Sequence, residues 1–282
     1  MFPFLSLRAL LPQMTAITDL DEALRLVPDG AQVAIPPDYS GVPMEAARAL
    51  IRRGARTLRL VTVPASSLCA DLLIGAGVVS EIETSAVGFG ELGLAPRFTA
   101  AVRAGRIRVK EATCPAIHAA LRASEMGNPF AVLRGILGSD ILAVRPDWRV
   151  IDNPFTPGDA IVALPALQPD VALFHAPLAD RHGNVWVGRR RDCFTLAHAS
   201  KTTVATVERV EDANFLLDEV RVAATIPSFY IGAVAEAPRG AWPMRLDGPD
   251  DTAHLREYLA LAQSEDGFAR YLERYVHGRR AA

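Results

Sequence analysis

From Leu20 onward, short apolar runs alternate with amphipathic stretches, and a glycine or proline stands at nearly every boundary. Strands joined through helices run parallel and bury both faces of their sheet. The alternation therefore predicts an α/β fold, an open, mostly parallel sheet covered by helices. Asp19, Asp21 and Glu22 open a helix over 19–27, where carboxylates oppose the positive end of the helix dipole. Asp29-Gly30 turns into a strand over 32–35, and Pro43 sits where a helix over 44–53 begins, with Gly54 to stop it. A strand over 57–63 leads to Ser66 and Ser67, whose hydroxyls suit the N-cap of a helix over 68–75. A strand and loop over 80–90, a helix from Pro96 to Gly105 and a strand over 107–111 continue the βα alternation without repeating the sequence itself.

Between Gly127 and Pro157 the periodicity fails, with Pro129, Gly135, Gly138, Pro146, Pro154 and Pro157 in one span. Irregular chain of that length inside a compact protein is usually a working loop or an interaction surface. Strands resume at 160–164, 171–176, 202–208 and 229–234. Residues 252–277 form a helical tail with Leu255, Leu259, Ala262, Phe268, Leu272 and Tyr275 on one apolar stripe. A chain of 282 residues, half of them hydrophobic, buries a large core, and we assign 18–278 to one α/β domain with 1–17 as an extension. The extension is apolar, but no cationic segment precedes it and no small-x-small site clearly follows, so it does not read as a secretory leader. No run of about 20 apolar residues exists to span a membrane. A net charge of −2 gives no electrostatic case for nucleic acid or an anionic membrane as partner. Cys69, Cys114 and Cys193 are odd in number and far apart, which points to a reducing compartment, the cytoplasm.

The most informative stretch is 170–188. Two apolar runs, 171–176 and 185–187, flank a polar turn that carries Asp180, His182, Gly183 and Asn184. It reads as strand, turn, strand, with glycine supplying positive φ and the Asp180 carboxylate capping nearby N–H groups. A satisfied turn accounts for these residues without any further role. A metal held by His175, Asp180 and His182 is the sharper alternative, but the histidines and cysteines have no zinc spacing and no metal is expected.

Several motifs, in order along the chain, agree with one family. Pro169-Asp170 through Ala179-Asp180 and Gly183-Asn184 resembles the signature of the A (α) subunit of class I coenzyme A transferases of the glutaconate type. Asp71-Leu-Leu-Ile-Gly75-Ala-Gly77, Gly93-Leu-Ala-Pro96-Arg97-Phe98, Asn128-Pro129-Phe130 and Gly138-Ser139-Asp140 resemble further runs of that family. Tyr258 and Tyr271 through Tyr275-Val276 fit as well, so the likeness covers about residues 18–278. Asp29-Gly30 to Ile35 and Gly41-Val42-Pro43 match near the start, but Pro36-Pro37-Asp38 stands where the family has Gly-Gly-Phe, in a loop one residue shorter. Prolines remove N–H donors and forbid positive φ, which leaves Ser40 and the Gly41 amide as the replacement donors.

The resemblance implies an enzyme whose nucleophile is a glutamate of the β subunit. That carboxylate attacks an acyl-CoA thioester, passes through an anhydride to a glutamyl-CoA thioester, and hands CoA to an acceptor acid. Ser264-Glu265-Asp266-Gly267 is a near look-alike of the family's nucleophile motif, but it divides the helical tail far from any strand end and reads as a helix cap or turn. What the resemblance implies for this chain is an α subunit without its own nucleophile and with no permanently bound cofactor. Its partner is the β subunit, and its substrates are acyl-CoA and carboxylic acids. Ligands of open parallel sheets bind at the carboxyl ends of strands. Ser40, Gly41, Ser66, Ser67, Gly88, Phe89 and Gly90 are therefore candidate contacts, with Arg134, Ser139 and Asn184 added from other loops. Each has a plainer reading as cap, core residue or surface charge. Arg189-Arg190-Arg191 suits a CoA phosphate, or else a solvated run paired with Asp192 or partner acids. Two rival functions remain. One is ring-opening acyl-CoA hydrolysis of steroid degradation, whose α chain uses a carboxylate shortly after the strand over 107–111, where this chain has Glu111 and then Cys114. The other is a non-catalytic metabolite-binding role, which the altered Pro36-Pro37 loop favours.

Overall fold

The structure is a computed structural model that describes residues 16–278; the rest of the proposed extension lies outside the described residues. β1 (Ala16–Thr18) takes in two residues assigned above to the extension, because pairing with the last strand of the sheet satisfies their backbone. It leads into α1 (Leu20–Ala23), where Asp19 accepts from the Glu22 amide at 2.8 Å. β2 (Gln32–Ile35), α2 (Met44–Arg53), β3 (Leu58–Thr62) and α3 (Leu68–Gly75) follow where the periodicity puts them, with the unforeseen short β4 (Ala65–Ser66) between the last two. β5 (Val79–Thr84), α4 (Pro96–Arg103) and β7 (Arg108–Glu111) also fall where expected, and the loop after β5 holds a second unforeseen short strand, β6 (Ala86–Val87). α5 (Cys114–Glu125) was not foreseen, although Thr113 caps it by accepting from the Ala116 amide at 3.3 Å.

The span from Gly127 to Pro157 is not irregular. It holds β8 (Phe130–Leu133), the one-turn α6 (Ile141–Val144) and β9 (Arg149–Asp152), and both strands pair antiparallel with β10 (Ala160–Pro165) in a separate sheet. The prolines and glycines stand between these strands, and their density hid them. Arg145 pins this flap to the main sheet. Its buried guanidinium lies 2.8 Å from Glu83, donates to the Glu111 carbonyl at 2.9 Å and covers the Trp148 ring.

β11 (Val171–Asp180), β12 (Val185–Trp186), the unforeseen α7 (Arg191–Ala199), β13 (Thr202–Glu211), β14 (Thr225–Ile226) and β15 (Ala233–Glu236) complete the sheets. β15 begins later than expected because Ser228–Tyr230 is a 3-10 turn. The tail is not one helix but two, α8 (Thr252–Leu261) and α9 (Glu265–Leu272), and the Ser264 hydroxyl caps the second by accepting from the Gly267 amide at 3.0 Å.

The main path of the large sheet runs β1-β15-β13-β11-β2-β3-β5-β7, and every pair along it is parallel. Strand alternation divides the core. Val33, Ile35, Leu58, Leu60, Val171 and Leu173 pack with α2, α3, α8 and α9, while Ala34, Val61, Ala172 and Phe174 pack with α5 and α7. From β2 the chain works outward through β3, β5 and β7, and from β11 it works the other way through β13 and β15, so the topological switch lies between β2 and β11. Asp170 ties the amino ends there, accepting from the Gln32 amide at 2.8 Å and from Lys201 at 2.7 Å. On the helical face, buried Asp71 of the Asp-Leu-Leu-Ile-Gly run accepts from the Tyr258 hydroxyl and the Phe98 amide, each at 2.6 Å, joining α3, α4 and α8.

His254 on α8 makes this packing pH-sensitive. It packs against Trp242 with ring centroids 4.2 Å apart and the planes tilted by 51°, and it shares a 2.8 Å hydrogen bond with the Tyr271 hydroxyl. Burial, then the charge of Arg48, pushes its pKa down from 6.5 to about 4. Between those values the unfolded chain holds a proton that the folded chain does not, so this contribution is fully present above pH 6.5 and is lost as pH falls towards 4. Allowing for partial solvation, the loss across that window is about 2 kcal/mol. Urea unfolding of wild type and His254→Phe at both ends of the window checks this: the variant is expected to show the shallower pH dependence.

Candidate active site

The loop after β2 opens at the switch point. Pro36 and Pro37 are buried, Asp38–Ser40 forms a 3-10 turn, and Gly41 takes φ +90°. The Gly41 carbonyl accepts from the His175 amide at 2.7 Å, which sews the loop to β11. This approach requires glycine, since a Cβ there would lie 2.1 Å from the His175 carbonyl oxygen. The Ser40 carbonyl faces the Cys193 thiol at 3.2 Å. Its hydroxyl and the Gly41 N–H make no hydrogen bond with any described residue.

After β3, Ser66 and Ser67 meet this loop. Ser67 occupies the N-cap position of α3 without a capping side-chain bond, and its hydroxyl acts on Asp38, whose charged form it favours. The Ser66 hydroxyl reaches the first turn instead, accepting from the Ala70 amide at 3.3 Å. The Ser67 amide also approaches Asp38, at 3.4 Å. Burial raises the Asp38 pKa, and the bonds from Ser67 oppose that rise. β4 pairs with β6, and the Gly88 amide donates to the Ser66 carbonyl at 3.1 Å, so Ser40, Gly41, Ser66, Ser67 and Gly88 converge as expected of strand-end residues. Phe89 is nearly buried, its ring 5.8 Å from that of Tyr258, and Gly90 turns the chain at φ +58°.

Three candidates lie apart from this group. Arg134 is on the flap, in a two-pronged ion pair with Asp159. The Ser139 hydroxyl donates to the Ile136 carbonyl at 2.9 Å within a local turn. Asn184 is inside the β11–β12 turn, donating to Asp180 at 2.8 Å and accepting from the Ser228 amide at 2.9 Å. Asp180 is itself fully buried and takes further N–H groups from His182, Asn184 and Phe215, so the turn reading of this motif holds. Among the described residues no group of three or more His, Cys, Asp or Glu side chains could hold a metal. The His175 ring bonds instead to Thr206 at 2.9 Å and to Glu208 at 2.8 Å.

The His175–Glu208 pair was missed from sequence because 33 residues separate its members, and only the parallel register of β11 with β13 brings them together. Burial raises the Glu208 pKa, but hydrogen bonds from His175 and the Arg239 amide outweigh it and leave the carboxyl below its ordinary value. Asp38 was visible only as a departure from a motif. Of the arginine run, Arg190 is buried and donates to the Val187 and Leu246 carbonyls, and Asp247 rather than Asp192 is the acid beside it and Arg189. Glu265 pairs with Arg97 at 2.5 Å on the helical side, as a first-turn residue of α9.

Comparison with known proteins settles the family. The coenzyme A transferase family model matches residues 17–237. The chain belongs to the coenzyme A transferase family. It is 32% identical over 275 residues to the α-type (A) chain of 3-oxoadipate CoA-transferase from Pseudomonas knackmussii, covering 94% of this chain and 95% of that one. A cholesterol ring-cleaving hydrolase subunit of Rhodococcus jostii is also 32% identical, over 84% of this chain and 83% of its own length. The structure of glutaconate coenzyme A-transferase from Acidaminococcus fermentans superposes with a TM-score of 0.85 at 26% identity, over 92% of this chain and 88% of that one. This transferase chain is thus of the α type, and its mostly parallel sheet with flanking helices is shared with that neighbour.

Proposed function

We propose that this chain is the α subunit of a two-chain enzyme that moves coenzyme A between carboxylic acids, and that a β subunit supplies the attacking glutamate. One observation carries the reading: the strand-end cluster offers hydrogen-bond donors, the Gly41 N–H and the Ser40 hydroxyl, that no described residue engages. In each half-reaction a carboxylate oxygen adds to a thioester carbonyl and the CoA thiolate leaves, and that thiolate then adds to a carbonyl of the resulting anhydride and a carboxylate leaves. The negative charge gathers on the carbonyl oxygen in between, where fixed donors stabilise it most. Ser66, Ser67 and Gly88 shape the wall beside those donors. Coenzyme A is then a substrate and no resident cofactor is needed. The three free cysteines fit a reducing compartment, the cytoplasm.

The test is reconstitution. The chain alone should transfer no CoA, adding a glutamate-bearing β chain should restore transfer, and Glu265→Ala should keep the rate within about twofold, since Glu265 is 70% exposed in the first turn of α9 and bonds to Arg97 rather than to any residue of the strand-end cluster. A folded Glu265→Ala complex without activity would overturn the assignment of the nucleophile to the β chain. Likeness to the ring-cleaving hydrolase subunit supports a second reading, in which exposed Glu111 at the end of β7 serves water rather than an acid. Opening of a cyclic diketone acyl-CoA without any acceptor acid would favour that reading.

A further inference from the structure

A cavity of about 550 Å³ opens along the same edge of the sheet, beyond β11 and β13 and against the loop after β15. Arg209, Arg239 and Arg245 line it together with Trp186, Trp242 and Glu208. Arg209 is engaged by Glu211 at 2.6 Å. The side chains of Arg239 and Arg245 make no ion pair or hydrogen bond with any described residue. Arg239 is nevertheless fixed at its backbone, where its amide donates to Glu208 at 2.7 Å, and Glu208 is held in turn by buried His175. The acidic rim residue Asp247 has two arginines beside it already, Arg189 at 3.5 Å and Arg190 at 3.4 Å, so its charge is offset from outside the cavity lining.

We infer that this cavity binds a phosphate-bearing nucleotide, with Arg239 and Arg245 on the phosphates and Trp186 beside the base. Guanidinium forks match phosphate oxygens, and the Trp186 indole offers the flat apolar surface on which a base stacks, while the Trp242 ring, already packed against Arg48 and His254, closes the wall behind it. The volume lies within the range of cavities that enclose ligands of that size, whereas a short dicarboxylic acid would fill only part of it. Glu208 would repel a bare anion but accepts readily from the amine or hydroxyl groups of a nucleoside. The identity of the nucleotide rests on the proposed function: in a CoA transferase it is the phosphorylated end of coenzyme A, and a free nucleotide is the other source of the same chemistry.

The experiment uses the complex with the β chain and adenosine 3′,5′-bisphosphate as probe. Calorimetry should show saturable binding that weakens at least about tenfold in R239E/R245E. R56E/R103E, which carries the same charge change near the amino ends of β3 and β7, should bind as wild type does. If coenzyme A is the source, KM for acyl-CoA rises by a similar factor in R239E/R245E while kcat and the KM for the acceptor acid hold. If bisphosphate binding is lost but the acyl-CoA KM is unmoved, the site stands and takes a free nucleotide. Absence of transferase activity would sink the proposed function and leave the calorimetric reading intact. Equal bisphosphate binding by R239E/R245E and wild type, or a rise confined to the acceptor-acid KM, overturns the inference.

Discussion

Gly41→Ala is expected to cost about 4 kcal/mol of folding stability and to leave little transferase activity. Two effects coincide at this position. Positive φ strains any residue with a side chain, and the new carbon would press on the His175 carbonyl at 2.1 Å, where backbone and not a flexible tip must give way. Relief requires the loop to lift from β11, which breaks the 2.7 Å bond from His175 to Gly41 and displaces the donors beside Ser40. Urea unfolding and reconstituted activity measure both losses. Gly54→Ala separates them from backbone strain alone: Gly54 also has positive φ but nothing within 4 Å of its would-be Cβ, and about 1 kcal/mol is expected there.

Asp180→Ala should be comparably severe, at about 4 kcal/mol. Its carboxylate is fully buried and receives the amides of His182, Asn184 and Phe215 at 2.8 to 3.0 Å, together with the Asn184 side chain at 2.8 Å. Alanine leaves these donors buried without partners, and water has little room to replace the carboxylate. Asp170→Ala removes a carboxylate of similar bonding that is 29% exposed, and solvent makes up much of that loss, so about 1 kcal/mol is expected. Thermal unfolding of the two variants side by side reads the difference.

The main sheet was legible because its strands bury both faces, so their apolar runs stand out, and because Asp19, Pro43, Gly54 and Gly105 mark the helix ends. The flap was not, since its antiparallel strands are short and leave Phe130, Val132 and Val150 exposed, so neither a buried run nor a clean alternation betrays them. α7 escaped because Arg190 stands at its N-cap without a capping side chain. For the site, the rule that ligands gather at the carboxyl ends of parallel strands singled out Ser40, Gly41, Ser66, Ser67 and Gly88, and the loops after β2, β3 and β5 bring these five side by side. Arg134, Ser139 and Asn184 came from motifs without a strand end to place them, and local partners hold all three. The interplay of Asp38 with Ser67 and of His175 with Glu208 depends on burial and register, which one sequence does not display.

Under the proposed function, the glutamate that becomes the CoA thioester lies on the β chain. Loading the reconstituted complex with acyl-CoA, reducing with borohydride and mapping peptides by mass spectrometry should place the reduced glutamate on the β chain and leave every carboxylate of this chain unmodified. A reduced side chain at Asp38, Glu111, Glu208 or Glu265 would contradict it.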